Sequence, residues 1–147
     1  MRAYSARTPD MYQAQSKNGT DVLPWMTQQE DAVMKVFDAN DWIYQTWAYE
    51  KHDVGTSPGF NGDTEKALGS IKAKTLILTG TNDLLNPEFE PLSAAHAIKD
   101  VRMMTISPGT VTGHAAAGGA IPADVEFLNR EAATFLDALT DNGKKLN

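Results

Sequence analysis

A short apolar run in the second half of the chain limits the possible folds more than any other feature of the sequence. It comprises residues 75–80, Thr-Leu-Ile-Leu-Thr-Gly, with no polar alternation until its ends. This pattern predicts a strand that is buried on both faces, as in a parallel sheet. Residues 101–106 predict a second strand, and a helical stretch from about 88 to 98 separates the two. Because a crossover helix makes the strands that it joins parallel, we predict an α/β fold.

The predicted strands are too few for a complete domain of this class. Two parallel strands with flanking helices correspond to the end of a doubly wound sheet, and no earlier segment has the pattern of the missing central strands. A strand as apolar as 75–80 is unsuited to a bare sheet edge. Although 147 residues suffice for a domain in general, we expect another polypeptide segment to complete this sheet.

The first half of the chain predicts helices and loops. The first 26 residues are polar and are interrupted by Pro9, Gly19 and Pro24, so we expect loops with short helical pieces. Residues 27–30, Thr-Gln-Gln-Glu, have the form of a capping box. They predict a helix that begins at Thr27.

Two further helices are predicted from apolar spacing, one from residue 41 to about 50 and the last from 124 to 139. The first of them carries large side chains that we expect on its buried side: Trp42, Ile43, Tyr44 and Trp47. The last helix places its apolar residues on one face: Val125, Leu128, Ala132, Phe135, Leu136 and Leu139. Residues 53–62 contain three glycines and a proline and are predicted to form a loop.

Composition makes several classes of function unlikely for this chain on physical grounds. With 13 basic and 19 acidic residues, its net charge of −6 disfavours binding to nucleic acid. The absence of cysteine removes disulfides, thiolate zinc sites and cysteine nucleophiles, and with three histidines we predict no metal site and no bound cofactor. No apolar run approaches the roughly 18 residues of a membrane helix. No secretory segment is recognised either, so we expect a cytoplasmic protein without membrane contact.

Two candidate catalytic residues follow the two predicted strands. Asp83 comes just after strand 75–80, and His114 lies in the loop after strand 101–106. In an open α/β sheet, catalytic groups gather beyond the carboxyl ends of the strands, so neighbouring parallel strands bring both loops to one rim. An acid followed along the chain by a histidine is the order in an α/β-hydrolase triad. There the carboxylate orients the imidazole that serves as the base.

The serine of such a triad is harder to find. Residues 55–59, Gly-Thr-Ser-Pro-Gly, match the GxSxG pattern literally, but no buried strand precedes Ser57. The residue after a nucleophilic serine must also donate its backbone N–H to the oxyanion hole, and Pro58 has none. We therefore reject Ser57 as the nucleophile. His96 lies in a helical segment and His52 at a helix end, neither in a comparable setting, and we interpret both as structural.

Several of these motifs together resemble the C-terminal part of the homoserine O-acetyltransferase family of α/β-hydrolase folds. The resemblance rests on residues 37–53 and 67–78, on Asp83-Leu84-Leu85-Asn86-Pro87 and on Gly113-His114, and it covers roughly residues 30–140. It implies the C-terminal portion of an α/β-hydrolase fold, with its last parallel strands and flanking helices preceded by helical lid segments. Residues 1–53 would form the lid segment and return helix, and residues 54–147 the C-terminal part of the core.

The same resemblance implies a function. Members of the family acylate a serine with an acyl-CoA and pass the acyl group to a hydroxyl, with Asp83 here as the triad acid and His114 as the base. Their serine lies in an N-terminal half, so we expect an N-terminal half or subunit, or a homo-oligomer, to complete the sheet. An acyl-CoA or an ester would then be the substrate, and the chain alone should be inactive.

The resemblance leaves the acceptor open. Three alanines, Ala115, Ala116 and Ala117, follow His114 where members with the homoserine activity usually have an acidic residue. Two alternatives stand beside the acyltransferase: a related esterase or hydrolase, and a non-catalytic remnant that acts as an oligomerising or binding module.

Overall fold

The computed structural model describes residues 8–16, 22–106 and 112–144, which form helices around a small sheet. In chain order the elements are α1 (Pro9–Gln15), α2 (Val22–Met34), α3 (Ala39–Lys51), α4 (Thr64–Gly69), β1 (Thr75–Gly80), α5 (Phe89–Ala97), β2 (Val101–Ile106) and α6 (Pro122–Lys144). Two 3-10 turns, Val54–Thr56 and Gly113–Gly118, lie between them. This mixture of helices and a parallel strand pair is compatible with a fragment of an α/β fold.

The sheet contains the two predicted strands in the predicted orientation. β1 pairs with β2 in parallel, in a register that runs from Thr75 opposite Val101 to Gly80 opposite Ile106. Only Thr79 and Gly80 of β1 are buried, and the first four residues of the strand are half-buried. The strand is therefore less enclosed than its apolar sequence predicts, because a single neighbouring strand covers it among the described residues.

A small core fills the space between the sheet, the second 3-10 turn and α6. Ile106 and Ala116 are fully buried there and Phe127 is 8% exposed. Leu78, Met104 and Leu128 pack around them. The core thus joins the carboxyl half of the sheet to the segment that follows β2.

α6 is longer than predicted, and its buried face differs from the prediction. The helix begins at Pro122, a residue suited to the first turn because its missing N–H has no partner there. Half of the predicted face is confirmed, since Leu128, Phe135 and Leu139 are half-buried. Its other members are exposed: Val125 at 42%, Leu136 at 58%, and Ala132. The residues that are buried lie at the spacing i, i+3 and i+7: Asp124, Phe127 and Glu131.

Each of the two acids in this buried stripe has a partner, although Oδ1 of Asp124 has none among the described residues. Oδ2 of Asp124 accepts a hydrogen bond from Thr112 Oγ1 at 2.8 Å. The carboxylate of Glu131 lies 2.9 Å from an Arg102 guanidinium nitrogen and 3.0 Å from Nε of Arg130. A search for apolar spacing alone cannot detect such residues, since burial of a charged group depends on partners from other elements.

The N-terminal helices differ from the prediction in where they begin and in what they bury. α2 begins at Val22, so the predicted start at Thr27 is wrong. Pro24 lies within its first turn, where a proline costs no helical hydrogen bond. α1 is one of the expected short helical pieces, and Thr8 caps it by accepting a hydrogen bond from the N–H of Met11 at 3.3 Å. Gly19 lies outside the described residues.

α3 forms where it is predicted, with Asp38 as its N-cap, but its expected buried side is exposed. Trp42, Ile43, Trp47 and Tyr44 are 38%, 44%, 50% and 68% exposed. The aromatic rings contact one another within this segment, Phe37 with Trp42 and Tyr44 with Trp47. No described element covers this aromatic face, so the packing that its composition predicts is not made among the described residues.

The loop predicted at residues 53–62 is present, and its first residue holds it to α4. The Asp53 carboxylate accepts hydrogen bonds from Thr64 Oγ1 at 2.6 Å and from the N–H of Gly55 at 2.8 Å. These bonds, the one from Thr64 above all, lower the pKa of Asp53 below its ordinary value. Within the described residues, no helix has both the length and the apolar character needed to cross a membrane.

Candidate functional site

Asp83 lies in the turn that follows β1, and the turn itself holds its carboxylate. Asn82 adopts a left-handed conformation with φ of 55°, which asparagine tolerates better than most residues. Oδ1 of Asp83 then accepts the backbone N–H groups of Leu85 and Asn86, each at 2.9 Å. The Asp83 side chain is only 8% exposed. Local hydrogen bonds therefore fix the direction of this carboxylate.

His114 reaches the same carboxylate from the other strand. It lies in the 3-10 turn Gly113–Gly118 after β2, and its Nδ1 is 3.0 Å from Oδ2 and 3.2 Å from Oδ1 of Asp83. The structure thus brings together the two residues that the sequence analysis selected, although 31 positions separate them. Because a carboxylate only accepts, Nδ1 is the protonated nitrogen of the neutral imidazole, and Nε2 of that tautomer has the lone pair. This is the tautomer that a general base requires.

A close backbone contact sets the position of the His114 turn. Gly80, the last residue of β1, lies against Gly113, and a methyl group at Gly80 would be 2.5 Å from the Gly113 carbonyl oxygen. Gly113 itself has a positive φ of 55°. Two glycines are therefore needed where the end of β1 meets the turn that carries His114.

Behind the turn lies a buried polar pair. Thr112 and Asp124 are both fully buried, and Thr112 Oγ1 donates to Asp124 Oδ2 at 2.8 Å. Thr112 precedes the turn, and Asp124 is in the first turn of α6. This bond ties the start of the His114 turn to the start of the last helix.

On its exposed side, His114 borders a cleft of about 430 Å³. α3 forms one wall and the segment after Asp83 forms the other, with Trp42, Thr46, Tyr49, Leu85 and Asn86 among the lining residues. The two walls are joined by a hydrogen bond of 2.6 Å from Asn86 Nδ2 to the Tyr49 hydroxyl. Because Asn86 also donates its backbone N–H to Asp83, α3 is linked to the carboxylate through one residue.

A second cleft, also of about 430 Å³, runs along β1. Four consecutive β1 residues, 77–80, line it, and so do Asp83 and His114. Successive strand residues point to opposite faces, so a cavity that all four touch borders the edge of the strand. Its other wall comes from α5. The edge of β1 that does not pair with β2 therefore opens into a cavity that ends at the candidate site.

The other residues considered in the sequence have no comparable setting. Ser57 is exposed after the 3-10 turn Val54–Thr56, and none of the described residues before it forms a strand. His96 is exposed on α5, and His52 is the exposed C-cap of α3. Among the described residues, no group of three or more histidines and acids is arranged to hold a metal ion.

Comparison with curated proteins finds relatives of one kind. Over 85 residues, 56% of this chain and 24% of the relative, the chain is 31% identical to the homoserine O-acetyltransferase of Nostoc punctiforme. Over 132 residues, 90% of this chain and 32% of the relative, it is 26% identical to the homoserine O-acetyltransferase of Chloroherpeton thalassium. No family model matches the chain, and no solved structure matches it.

These similarities support a relationship at the level of the family. The matched regions span about a quarter and about a third of the two relatives, so this chain is similar to part of each.

The residues that support the pair were not predicted from the sequence. Tyr49, Thr112 and Asp124 are ordinary polar residues of helices and a loop, and Asn86 lies in the segment Asp83-Leu84-Leu85-Asn86-Pro87 without a role assigned to it. Their contacts join segments that are 12 to 37 positions apart. The one available signal was the acid in the first turn of a predicted helix, which is also a common capping feature.

Proposed function

We propose that this chain is the C-terminal portion of an α/β-hydrolase-fold O-acyltransferase of the homoserine O-acetyltransferase kind. Asp83 is the triad acid and His114 the base, and the nucleophilic serine comes from outside this chain. The observation that carries the proposal is the hydrogen bond from His114 Nδ1 to Asp83, at 3.0 Å, where two adjacent parallel strands end. The names of the two relatives support the reaction class.

The chemistry follows from the tautomer of His114. Nε2 takes the proton of the serine hydroxyl as its oxygen attacks the thioester carbonyl of an acyl-CoA, and the imidazolium then protonates the departing thiolate. The acyl-serine is next attacked by the acceptor hydroxyl, whose proton passes to Nε2 and then to the released serine oxygen. Asp83 stabilises the imidazolium in both steps without taking the proton itself. Water in place of the acceptor gives hydrolysis by the same steps.

The proposal includes a partner for the sheet. The free edge of β1 borders a cavity that ends at Asp83 and His114, as expected of an edge on which further strands lie. The N-terminal portion of the enzyme, as part of one polypeptide or as a subunit, would supply those strands and the serine. Residues 1–53 would serve as the lid and residues 54–147 as the C-terminal part of the core. A cytoplasmic location belongs to the same proposal.

A chimera tests this function directly. The segment of the Chloroherpeton thalassium enzyme that aligns with this chain is replaced by the chain itself, and release of CoA thiol from acetyl-CoA is followed with and without homoserine. We expect turnover that His114→Ala lowers by at least about 10³-fold and that Asp83→Asn lowers on the order of 10⁴-fold. His96→Ala, which changes an exposed histidine on α5, is the matched control and should retain turnover.

Two results would refute the proposal. One is a chimera that unfolds cooperatively but releases no thiol from any acyl-CoA and no alcohol from any ester. The other is turnover that survives His114→Ala. Thiol release that does not depend on an acceptor would instead assign the chain to hydrolysis, the alternative left open by the alanines after His114.

The exposed aromatic face of α3 favours a second candidate, a non-catalytic module that associates with itself. Sedimentation of the chain alone distinguishes the two. A stable homo-oligomer that blocks addition of an N-terminal portion would favour the module, and a chain that gains stability from such a portion favours the enzyme.

A further inference from the structure

The turn that carries His114 is supported from behind by a fully buried threonine and aspartate. Thr112 and Asp124 are both 0% exposed, and their side chains share a hydrogen bond of 2.8 Å. Neither residue lies in the candidate site or lines either cleft. A buried carboxylate is costly unless it is hydrogen-bonded. Among the described residues Oδ1 of Asp124 has no hydrogen-bond partner, so the bond from Thr112 to Oδ2 is the one that offsets this cost.

The pair connects two points that determine where His114 lies. Thr112 is two positions before His114 and is the N-cap of the 3-10 turn Gly113–Gly118. Asp124 is in the first turn of α6, the longest described helix, which packs on the core through Phe127. A carboxylate is also favoured near a helix N-terminus, because the first N–H groups of the helix are positive.

The opposite side of the turn is already constrained. Gly113 contacts the end of β1 at Gly80, and His114 contacts Asp83. Ala116 of the same turn also packs in the core. The Thr112–Asp124 bond adds a restraint at the start of the turn, which keeps it from moving away from α6.

We propose that Thr112 and Asp124 are positioning residues for His114. Their bond holds the start of the turn against α6 so that the Nδ1–H of His114 points at Asp83 and Nε2 faces the site. The catalytic consequence rests on the function proposed above, whereas the structural consequence, an intact His114–Asp83 hydrogen bond, does not. The proposal therefore has a test that needs no activity.

The first measurement uses the whole chain and the Nδ1 proton of His114. A proton held between an imidazole and a carboxylate resonates far downfield of the backbone amides, and His114→Ala assigns the signal by removing it. We expect Thr112→Val, which keeps the shape of the side chain and removes its hydroxyl, to lose this signal to solvent exchange. Thr112→Ser restores a hydroxyl and should restore the signal.

Asp124 gives the reciprocal pair of variants. Asp124→Asn keeps an oxygen that can accept from Thr112 and should retain the signal, and Asp124→Ala should lose it. Glu131→Gln is the matched control. Glu131 is the other buried acid of α6, seven positions later, and its partners are Arg102 and Arg130 rather than the His114 turn. It should lower the unfolding temperature and leave the His114 signal in place.

The second measurement is turnover in the chimera described above. A base displaced by about 1 Å costs on the order of 10²-fold in rate, so Thr112→Val should lower kcat by about that factor with little change in KM, and Thr112→Ser should recover most of it. If the parent chimera is inactive, the proposed function fails while the signal of His114 still decides the positioning role.

The positioning role is overturned if Thr112→Val or Asp124→Ala retains the His114 signal. It is also overturned if Glu131→Gln abolishes the signal together with them, because the effect is then a general loss of stability. A conservative variant that fails to restore the signal has the same meaning.

Discussion

The contact between Gly80 and Gly113 predicts that one methyl group at the end of β1 displaces the candidate base. In Gly80→Ala, the new methyl would lie 2.5 Å from the Gly113 carbonyl oxygen and 3.2 Å from its carbon. Ordinary contact begins at 3.4 Å, so the turn must withdraw by about 0.9 Å. Both atoms belong to the backbone and cannot rotate away. The shift therefore reaches His114, the next residue.

The energetic cost follows from the same distances. Overpacking of this kind costs about 1–3 kcal/mol, and each kcal/mol lowers the melting temperature by about 2–4 °C in a chain of this size. Gly80 also lies opposite the fully buried Ile106, so the core cannot absorb the methyl without moving. Differential scanning calorimetry measures the stability, and the downfield Nδ1 proton of His114 reports the contact with Asp83.

Gly118→Ala is the control for this prediction. Gly118 ends the same 3-10 turn, yet a methyl there meets no atom within 4 Å. Replacing an unconstrained glycine by alanine stabilises by up to about 1 kcal/mol, through the smaller entropy of the unfolded chain. If Gly80→Ala is as stable as Gly118→Ala and keeps the His114 signal, the close contact does not set the position of the turn.

Three further predictions concern the frame around the site. Phe127→Ala should lower the free energy of unfolding by about 3–5 kcal/mol in urea titrations, because Phe127 is a buried core residue. The guanidinium carbon of Arg130 also lies 5.1 Å from the centre of its ring. A loss no larger than that of Val125→Ala, on the exposed side of α6, would contradict the core assignment. Gly55→Ala should destabilise by about 1–3 kcal/mol, since a methyl there would be 2.5 Å from the backbone nitrogen of Thr64, and an unchanged melting temperature would show that the loop can move aside. Because the pKa of Asp53 is lowered in the folded chain, its bonds to Thr64 and Gly55 stabilise the fold fully at pH values above the ordinary aspartate pKa. This contribution is lost as the pH falls through the lowered pKa. Melting temperatures measured from neutral to acid pH should therefore show a gap between the wild type and Asp53→Ala that closes on acidification, and a gap that does not change with pH would count against this linkage.

The strands could be predicted from the sequence because their signals are local. Six residues decide each strand, and the helix between them decides that they are parallel, so β1 and β2 were located residue for residue. Asp83 and His114 followed, since their positions just after the two strands place them at one rim. In each case the decisive information lies within a few residues of the feature.

The failures concern features that depend on distant parts of a chain. Asp124 and Glu131 are buried on α6 only because Thr112 and Arg102 reach them from elsewhere, and apolar spacing carries no trace of such partners. The apolar pattern of α3 correctly predicted a helix with a face to bury, but no described element covers that face. Sequence patterns report what a segment prefers, and tertiary partners decide whether the preference is met.

The His114–Asp83 pair and the surfaces around it differ in how far contacts within this chain complete them. Asp83 and the turn that carries His114 are held by contacts within the chain: the N–H groups that Asp83 accepts, the contact of Gly80 with Gly113, and the bond between Thr112 and Asp124. No described element covers the unpaired edge of β1 or the aromatic face of α3. If the proposed function holds, binding of an N-terminal portion would cost little conformational entropy at His114, because that residue is already held in place. Most of the binding free energy would then come from covering the edge of β1 and the face of α3. Variants behind His114 should then lower turnover in the assembled enzyme with unchanged assembly, whereas replacing Trp47 on the exposed face of α3 by a charged residue should weaken assembly first.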